Sequence, residues 1–370
     1  MSPAMPPVTR HWGSTVYTPE HVLSIPLGYD RAVTPVGAVL PGTPDHELRR
    51  ALDRCSRVVV AFDGKLGDSL LAFGGVTAII EALALLGRTV PVSALGCYGC
   101  LYPTTSTACS RNCSPRLIIG DGTGVELARP THDDHVLLCR PEEAHCRDDG
   151  QRAHTHLPAR YYLGLEERIG LRLPGGPPFL PSLARDAAEP VGEALTIAAV
   201  TATSWPGRKD YGVERFTDAA RIIGERSGRH VRLLLVSGHD ETAPQPPGDT
   251  AGVRIESVAG ADLASLMDLF AHCDVVLGND TGLTHLAALV SARAEVIGLY
   301  GRHSHSKWRT GLGRHHALAT LFSERMHRRD MCPVRDGVDD TDNGGRASLS
   351  AISPDLIADT ALLALERRNA

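Results

Sequence analysis

The run Asp274-Val275-Val276-Leu277-Gly278-Asn279-Asp280-Thr281-Gly282-Leu283-Thr284-His285-Leu286-Ala287-Ala288-Leu289 constrains this chain more than any other. It places a buried strand, a polar turn and a helix start in immediate succession. Val275 to Leu277 is short, apolar and β-branched at its start, as a central parallel strand should be. Asp280 or Thr281 stands where it can cap a helix that Leu283, Leu286, Ala287 and Val290 continue at helical spacing. The first amides of a helix have no partner within it, and its amino end carries about half a positive charge. Amides at Thr281 to Leu283 would therefore offer an anion site, with Gly282 removing the side chain that would obstruct close approach. A capped helix in any doubly wound domain is the other reading of the same residues. Glu295 to Gly301 then supplies a second short apolar strand and completes a βαβ unit.

The segment resembles the donor-binding signature of glycosyltransferase family 9, the lipopolysaccharide heptosyltransferase family. Its members share Asp-Thr-Gly-Leu-x-His-Leu-x-Ala ahead of a strand ending in Tyr-Gly or Phe-Gly. Asp280, Thr281, Gly282, Leu283, His285, Leu286 and Ala288 stand in those places, and Tyr300-Gly301 closes the strand. The resemblance covers roughly residues 57 to 367. It implies an α/β fold of GT-B architecture, two doubly wound Rossmann-like domains facing a cleft, with the donor held at Asp280, Thr281, Gly282, Leu283 and His285.

A second strand-turn-helix signal lies at Val58-Val59-Val60-Ala61-Phe62-Asp63-Gly64-Lys65-Leu66-Gly67-Asp68, leading into an apolar helix that Gly87 can end. It resembles the Gly-Asp loop of the same family, which makes Asp68 the expected base for the acceptor hydroxyl and puts Lys65 and Gly67 on the acceptor side. A carboxylate in the first helical turn is also a good cap, and that plain reading stands beside the catalytic one. The family's arginine at the end of this strand is replaced by Phe62; Lys65 or Arg57 are the candidates to substitute for it.

Only three of the 38 basic residues are lysine: Lys65, Lys209 and Lys307. In so arginine-rich a chain, lysine is expected to survive where a compact ammonium is needed. Lys209 follows the apolar strand Thr196 to Val200 in Thr203-Ser204-Trp205-Pro206-Gly207-Arg208-Lys209. By the resemblance, Lys209 takes the family's lysine position and Thr203 or Ser204 its hydroxyl role in holding the donor diphosphate, with Arg208 expected beside them, although the family's Lys-x-Trp-Pro becomes Lys209-Asp210-Tyr211-Gly212; a solvated basic loop is the alternative. Glu241, or next to it Asp240, takes the family's ribose-binding place. Lys307, in the His303-Ser304-His305-Ser306-Lys307 loop, is assigned to phosphate, and the histidines are read as ordinary loop residues.

The coarse layout places strands near 58–62, 89–94, 116–120 and 135–139 in the first half. Those of the second half fall near 196–200, 231–236, 253–257, 274–278 and 295–300, with a helix at 261–272. The expected divisions are a proline-rich extension at 1–56, an acceptor domain at 57–180 with a cysteine-rich insertion, and a donor domain at 191–350. A closing helix at 351–370 is expected to pack back on the first domain. Gly175-Gly176-Pro177-Pro178 and the Pro181 to Pro190 stretch read as the hinge between the two domains. With 42% hydrophobic residues and a net charge of −5, the chain reads as an ordinary soluble protein. No membrane-span run or secretory signal is read, so the expected location is cytoplasmic, and the absence of a basic stripe argues against nucleic acid as a partner.

Cys97, Cys100, Cys109 and Cys113 have a spacing that can hold structural zinc; with Cys139, Cys146 and His145 nearby, a disulfide set and free thiols are the alternatives. Asp340-Thr341-Asp342 has an Asp-x-Asp form but sits in a glycine- and aspartate-rich stretch without an EF-hand glutamate. Catalysis is expected to need no cofactor. The expected reaction is inverting transfer of a heptose or related sugar from a nucleotide-diphosphate donor, ADP-linked by the resemblance, to an acceptor hydroxyl that gives its proton to Asp68. Arginine bias points to a GC-rich coding sequence, and on that ground the acceptor is expected to be a small glycan or an aminocyclitol or antibiotic-type molecule. A sugar-nucleotide epimerase of the same fold and a binding protein without turnover are the competing classes.

Overall fold

The computed structural model describes residues 10–12, 15–17, 45–61, 65–95, 98, 101–102, 136–139, 156–185, 194–201, 203–238, 243–245, 252–333, 337–338 and 347–369. The chain divides into two units, Met1–Pro181 and Ser182–Ala370.

In the first unit a hairpin of β1 (Arg10–Trp12) and β2 (Thr15–Tyr17) precedes α1 (Asp45–Arg54), β3 (Arg57–Ala61), α2 (Leu66–Leu85), β4 (Val92–Leu95), β5 (Val136–Cys139) and α3 (Leu157–Ile169). The strands β4-β3-β5 form a parallel sheet with the valine-rich β3 at its centre. Two expectations change here. Residues 45–54, placed in the extension, are a helix that packs on α3 and buries Leu48 and Leu52, so they belong to this unit's core. And α2 is, against the sequence reading, long and apolar enough to cross a membrane; 14 of its 20 residues are buried, which makes it a core helix. It crosses α3 so closely that a Cβ on Gly74 would lie 2.3 Å from the Pro158 carbonyl oxygen. The strand expected near 116–120 and the thiols Cys97, Cys100, Cys109, Cys113 and Cys146 lie outside the described residues, as do Asp340 to Asp342.

The second unit contains β6 (Leu195–Val200), α4 (Pro206–Lys209), α5 (Val213–Ser227), β7 (Val231–Val236), β8 (Val253–Val258), α6 (Leu263–Ala271), β9 (Val275–Asn279), α7 (Gly282–Val290), β10 (Glu295–Tyr300), β11 (His315–Ala319), α8 (Leu321–Arg328) and α9 (Pro354–Asn369). All six strands are parallel, in the order β11-β10-β9-β6-β7-β8. The inner strands β6, β7, β9 and β10 are buried along nearly their whole length, as strands covered on both faces are, whereas the edge strands β8 and β11 are partly exposed. β6 is first in the chain but third in the sheet from the β8 edge: β7 and β8 extend to one side, β9, β10 and β11 to the other. The β6–β9 junction is therefore the point where the winding reverses, and in open sheets of this kind ligands bind beyond the carboxyl ends of the strands at that point.

The closing helix is tied to the second unit. α9 lies against α5 and β10 of its own unit, with Ile357, Ala358, Ala361 and Leu365 joining the core formed by Phe216, Ile223, Leu277 and Ile297. Arg226 of α5 bridges Asp355 and Asp359, and the Tyr211 hydroxyl donates to the Ile352 carbonyl at 2.8 Å.

Candidate functional site

The carboxyl ends of β6, β9 and β10 bring together residues far apart in the chain. After β6, the Thr203 hydroxyl accepts from the Trp205 amide at 3.3 Å, and Pro206 starts the single turn α4, whose Arg208 and Lys209 amides return to the Trp205 carbonyl at 2.9 Å each. That turn carries Lys209 to the end of β9. Its Nζ lies 2.9 Å from Asp280 Oδ2 and 3.3 Å from the Asp280 carbonyl oxygen. From the end of β10, His303 Nδ1 lies 2.7 Å from the same Oδ2.

Asn279 pins the junction. Fully buried, it accepts from the Tyr211 amide at 3.1 Å and donates to the Thr201 carbonyl at 3.3 Å, so one side chain ties the exits of β6 and β9 to the entry of α5. Beside it α7 runs very close to β9: the Thr284 hydroxyl donates to the Asn279 carbonyl at 2.7 Å, and a Cβ on Gly278 would stand 2.2 Å from that hydroxyl oxygen. Glycine at 278 is what this approach requires.

The sequence left Asp280 and Thr281 as rival caps of α7. Thr281 holds the cap position, with no cap hydrogen bond from its side chain, and Asp280 turns to Lys209 and His303 instead. The amino end of α7 at Gly282 and Leu283 is thus not closed by a carboxylate, the condition for receiving an anionic ligand.

Burial alone would raise the Asp280 carboxyl, but the Lys209 ammonium and the hydrogen bond and charge of His303 outweigh it and hold it well below the usual carboxylate range. Burial pushes His303 down to about 4, helped by the Lys209 charge and opposed by Asp280. It pushes His285 down to about 4 as well. Both histidines are neutral near pH 7. Because an ionised carboxylate only accepts, His303 must carry its proton on Nδ1 and donate to Asp280. His285 is buried in the first turn of α7, its ring 5.7 Å from that of His315, and its Nδ1 has no hydrogen-bond partner.

The remaining expected residues separate into distinct places. Ser204 and Arg208 are exposed at the turn next to Lys209. Glu241 and Asp240 lie outside the described residues. Lys307 is a correction: it is 0% exposed, its Nζ lies 3.0 Å from Asp330 Oδ1 and 2.8 Å from the Asp330 carbonyl oxygen, and it faces the end of α8 rather than an anion site. It belongs to a seam that stitches the loop after β10 to α8. Thr320 donates to the Gly301 carbonyl, Ser323 to the His303 carbonyl, and Glu324 and His327 contact His305 and Ser306. In the first unit Asp68 acts as the plain reading had it, accepting from the Lys65 amide at 3.1 Å at the start of α2; Lys65 is exposed and Gly67 half-buried.

Sequence reasoning missed Asn279, His303, Arg302 and Trp205. A polar residue ending a fully apolar strand was a usable signal for Asn279; the other three depend on loops meeting in space. Among the described residues no group of three or more His, Cys, Asp or Glu side chains could hold a metal ion.

Residues 180–333, which contain this whole arrangement, match the family model of glycosyltransferase family 9 (heptosyltransferase). No curated protein matches the sequence. Among solved structures, a family 9 glycosyl transferase from Veillonella parvula is similar, with a TM-score of 0.55 at 15% identity over 84% of this chain and 97% of that one. Escherichia coli heptosyltransferase WaaC with ADP gives 0.50 at 13% over 83% and 99%. The iron-containing dodecameric glycosyltransferase TibC from enterotoxigenic E. coli gives 0.51 at 14% over 84% and 78%. These likenesses extend the α/β GT-B fold class across most of the chain.

Proposed function

We propose, from the premise that residues 180–333 are a family 9 glycosyltransferase domain, that the chain moves a heptose or closely related sugar from an ADP-linked donor to a hydroxyl group with inversion. The observation that carries this reading is the meeting of Lys209 and Asp280, 71 residues apart in sequence and 2.9 Å apart in space, beside the uncapped amino end of α7. One similar structure is described with ADP and another with ADP-D-β-D-heptose. The reaction breaks the bond from the anomeric carbon to the diphosphate and forms one to the acceptor oxygen, so negative charge gathers on the departing diphosphate. In this reading amides of Gly282 and Leu283 with Lys209, and Arg208 from its exposed turn, take that charge, each well-aimed donor contributing roughly 3 kcal/mol. Asp280 stays ionised beneath them, fixing Lys209 and His303 and offering its remaining lone pairs to sugar hydroxyls. Glu241 is assigned to ribose, Thr203 and Ser204 to the diphosphate turn, and Asp68 to the acceptor proton. The acceptor is read as a small glycan or an aminocyclitol or antibiotic-type molecule, and no step calls for a metal ion.

Thermal stabilisation by ADP, GDP and UDP, each with and without EDTA, is the first test. A ligand at 100 times its dissociation constant adds about 2.7 kcal/mol to stability. Stabilisation by ADP that survives EDTA supports the reading, and no shift with any nucleotide sinks it. Incubation with donor alone must leave the sugar nucleotide unchanged; conversion would make the protein an epimerase. Asp68→Asn should lower transfer by about 10² or more while leaving ADP binding intact, and unchanged transfer removes Asp68 from the mechanism.

A further inference from the structure

Trp205 is a large apolar side chain at this site that stays in solvent, 40% exposed. Its ring is held in place. The Arg302 guanidinium, on a residue only 2% exposed, lies over the ring with its carbon 4.4 Å from the centroid. Lys209 Nζ lies 5.7 Å from the same centroid and the His303 ring 6.5 Å away. The Trp205 backbone is fixed by Thr203 on one side and by the amides of Arg208 and Lys209 on the other. A fixed, solvated indole beside an anion site forgoes the stability its burial would give, and cations over the ring keep its orientation set.

We propose that Trp205 is a stacking platform for the pyranose ring of the sugar-nucleotide donor, an assignment that rests on the donor reading above. Two arguments select the sugar over the base. The first is reach: the sugar is bonded directly to the diphosphate, whereas the base is set off from it by a ribose, and Trp205 stands within 5.7 Å of the lysine assigned to that diphosphate. The second is polarity. The negative π face of an indole favours the positively polarised C–H face of a pyranose. Arg302 and His303, adjacent on the loop after β10, are then positioning residues: one holds the platform and the other holds Asp280.

The test compares ADP with ADP-heptose by titration calorimetry on the full chain. In the wild type ADP-heptose is expected to bind more tightly than ADP. Trp205→Ala should remove about tenfold of the ADP-heptose affinity and change ADP affinity by no more than about twofold. Trp205→Phe, which keeps an aromatic face, should restore most of the loss. Equal weakening of both ligands in Trp205→Ala, or no weakening of either, overturns the platform and leaves the donor reading standing. So does a wild type that gains nothing from the sugar. Failure of the wild type to bind ADP at all fells the donor reading, and the platform with it. Quenching of tryptophan emission by ADP-heptose beyond that by ADP, lost in Trp205→Phe, is the independent readout.

Discussion

Two lysine–aspartate pairs serve loops at the carboxyl edge of the second sheet, and they are built differently. Lys209 and Asp280 meet with side chains 12% and 6% exposed, Asp280 sharing its oxygen with His303, beside an uncapped helix end. Lys307 and Asp330 meet with side chains 0% and 4% exposed, and the ammonium takes the Asp330 carbonyl oxygen as well. The first pair retains partial solvent exposure next to the start of α7; the second is sealed. Both lysines follow a strand in a short polar loop, so chain position does not separate them. The direction each side chain takes does.

The largest way to expose that difference is to remove the sealed ammonium. Lys307→Met leaves the Asp330 charge buried without its salt-bridge partner and is expected to cost about 3–5 kcal/mol. It would be read by denaturant unfolding, and a loss below about 1 kcal/mol would mean that water reaches the pair. The next effect distinguishes the open pair through its histidine. His303 moves from its ordinary value near 6.5 to about 4 in the fold, so between those pH values the unfolded chain holds the extra proton. Stability is therefore full above pH 6.5 and falls as pH drops toward 4, by an amount on the order of 3 kcal/mol. His285, lowered to about 4, acts with the same sign, and Asp280 adds its own loss at still lower pH. His303→Asn should remove about half of the limb between pH 6.5 and 4, leaving the share of His285, and an unchanged limb would show that His303 is solvated. Third is Lys209→Met. Here ADP affinity should fall roughly 10- to 100-fold, about 1.4–2.7 kcal/mol, while stability changes less than in Lys307→Met. Loss of stability with undiminished ADP affinity would reverse the roles given to the two pairs.

What was legible in the sequence follows the same line. The strands of the second unit could be placed within a residue at each end, because runs such as Val231 to Val236 and Glu295 to Tyr300 are apolar stretches bounded by polar turns. β11 was missed because His315-His316-Ala317-Leu318-Ala319 has no β-branched residue and no alternation. At the site, Asp280 to Leu283 and Lys209 were legible because each sits in a local strand-turn-helix signal. The contacts among Trp205, Arg302, His303 and Asp280 were not, since three separate loops supply them. The contacts of the closing helix with α5 and β10 were not legible, because an apolar stripe at Ile357, Ala358, Ala361 and Leu365 says that the helix docks without saying on what.

The smallest expected effect bears on why lysine survives at these places in a chain whose other cations are arginine. Arginine keeps the charge but adds a planar fork and changes the reach. At Lys307 the cavity is closed and the ammonium already meets a carboxylate and a carbonyl, so Lys307→Arg should cost about 1–3 kcal/mol through overpacking. Lys209 keeps 12% of its side chain exposed, and on the proposed donor reading a guanidinium can still pair with Asp280 and face a diphosphate. Lys209→Arg should therefore leave stability within about 0.5 kcal/mol of the wild type. ADP affinity should drop only a few-fold, below about 1 kcal/mol. The decisive quantity is the ratio of the two substitutions in the same unfolding assay. Equal costs at both positions would show that Lys209 is as tightly enclosed as Lys307 and would remove the exposure on which the donor reading depends.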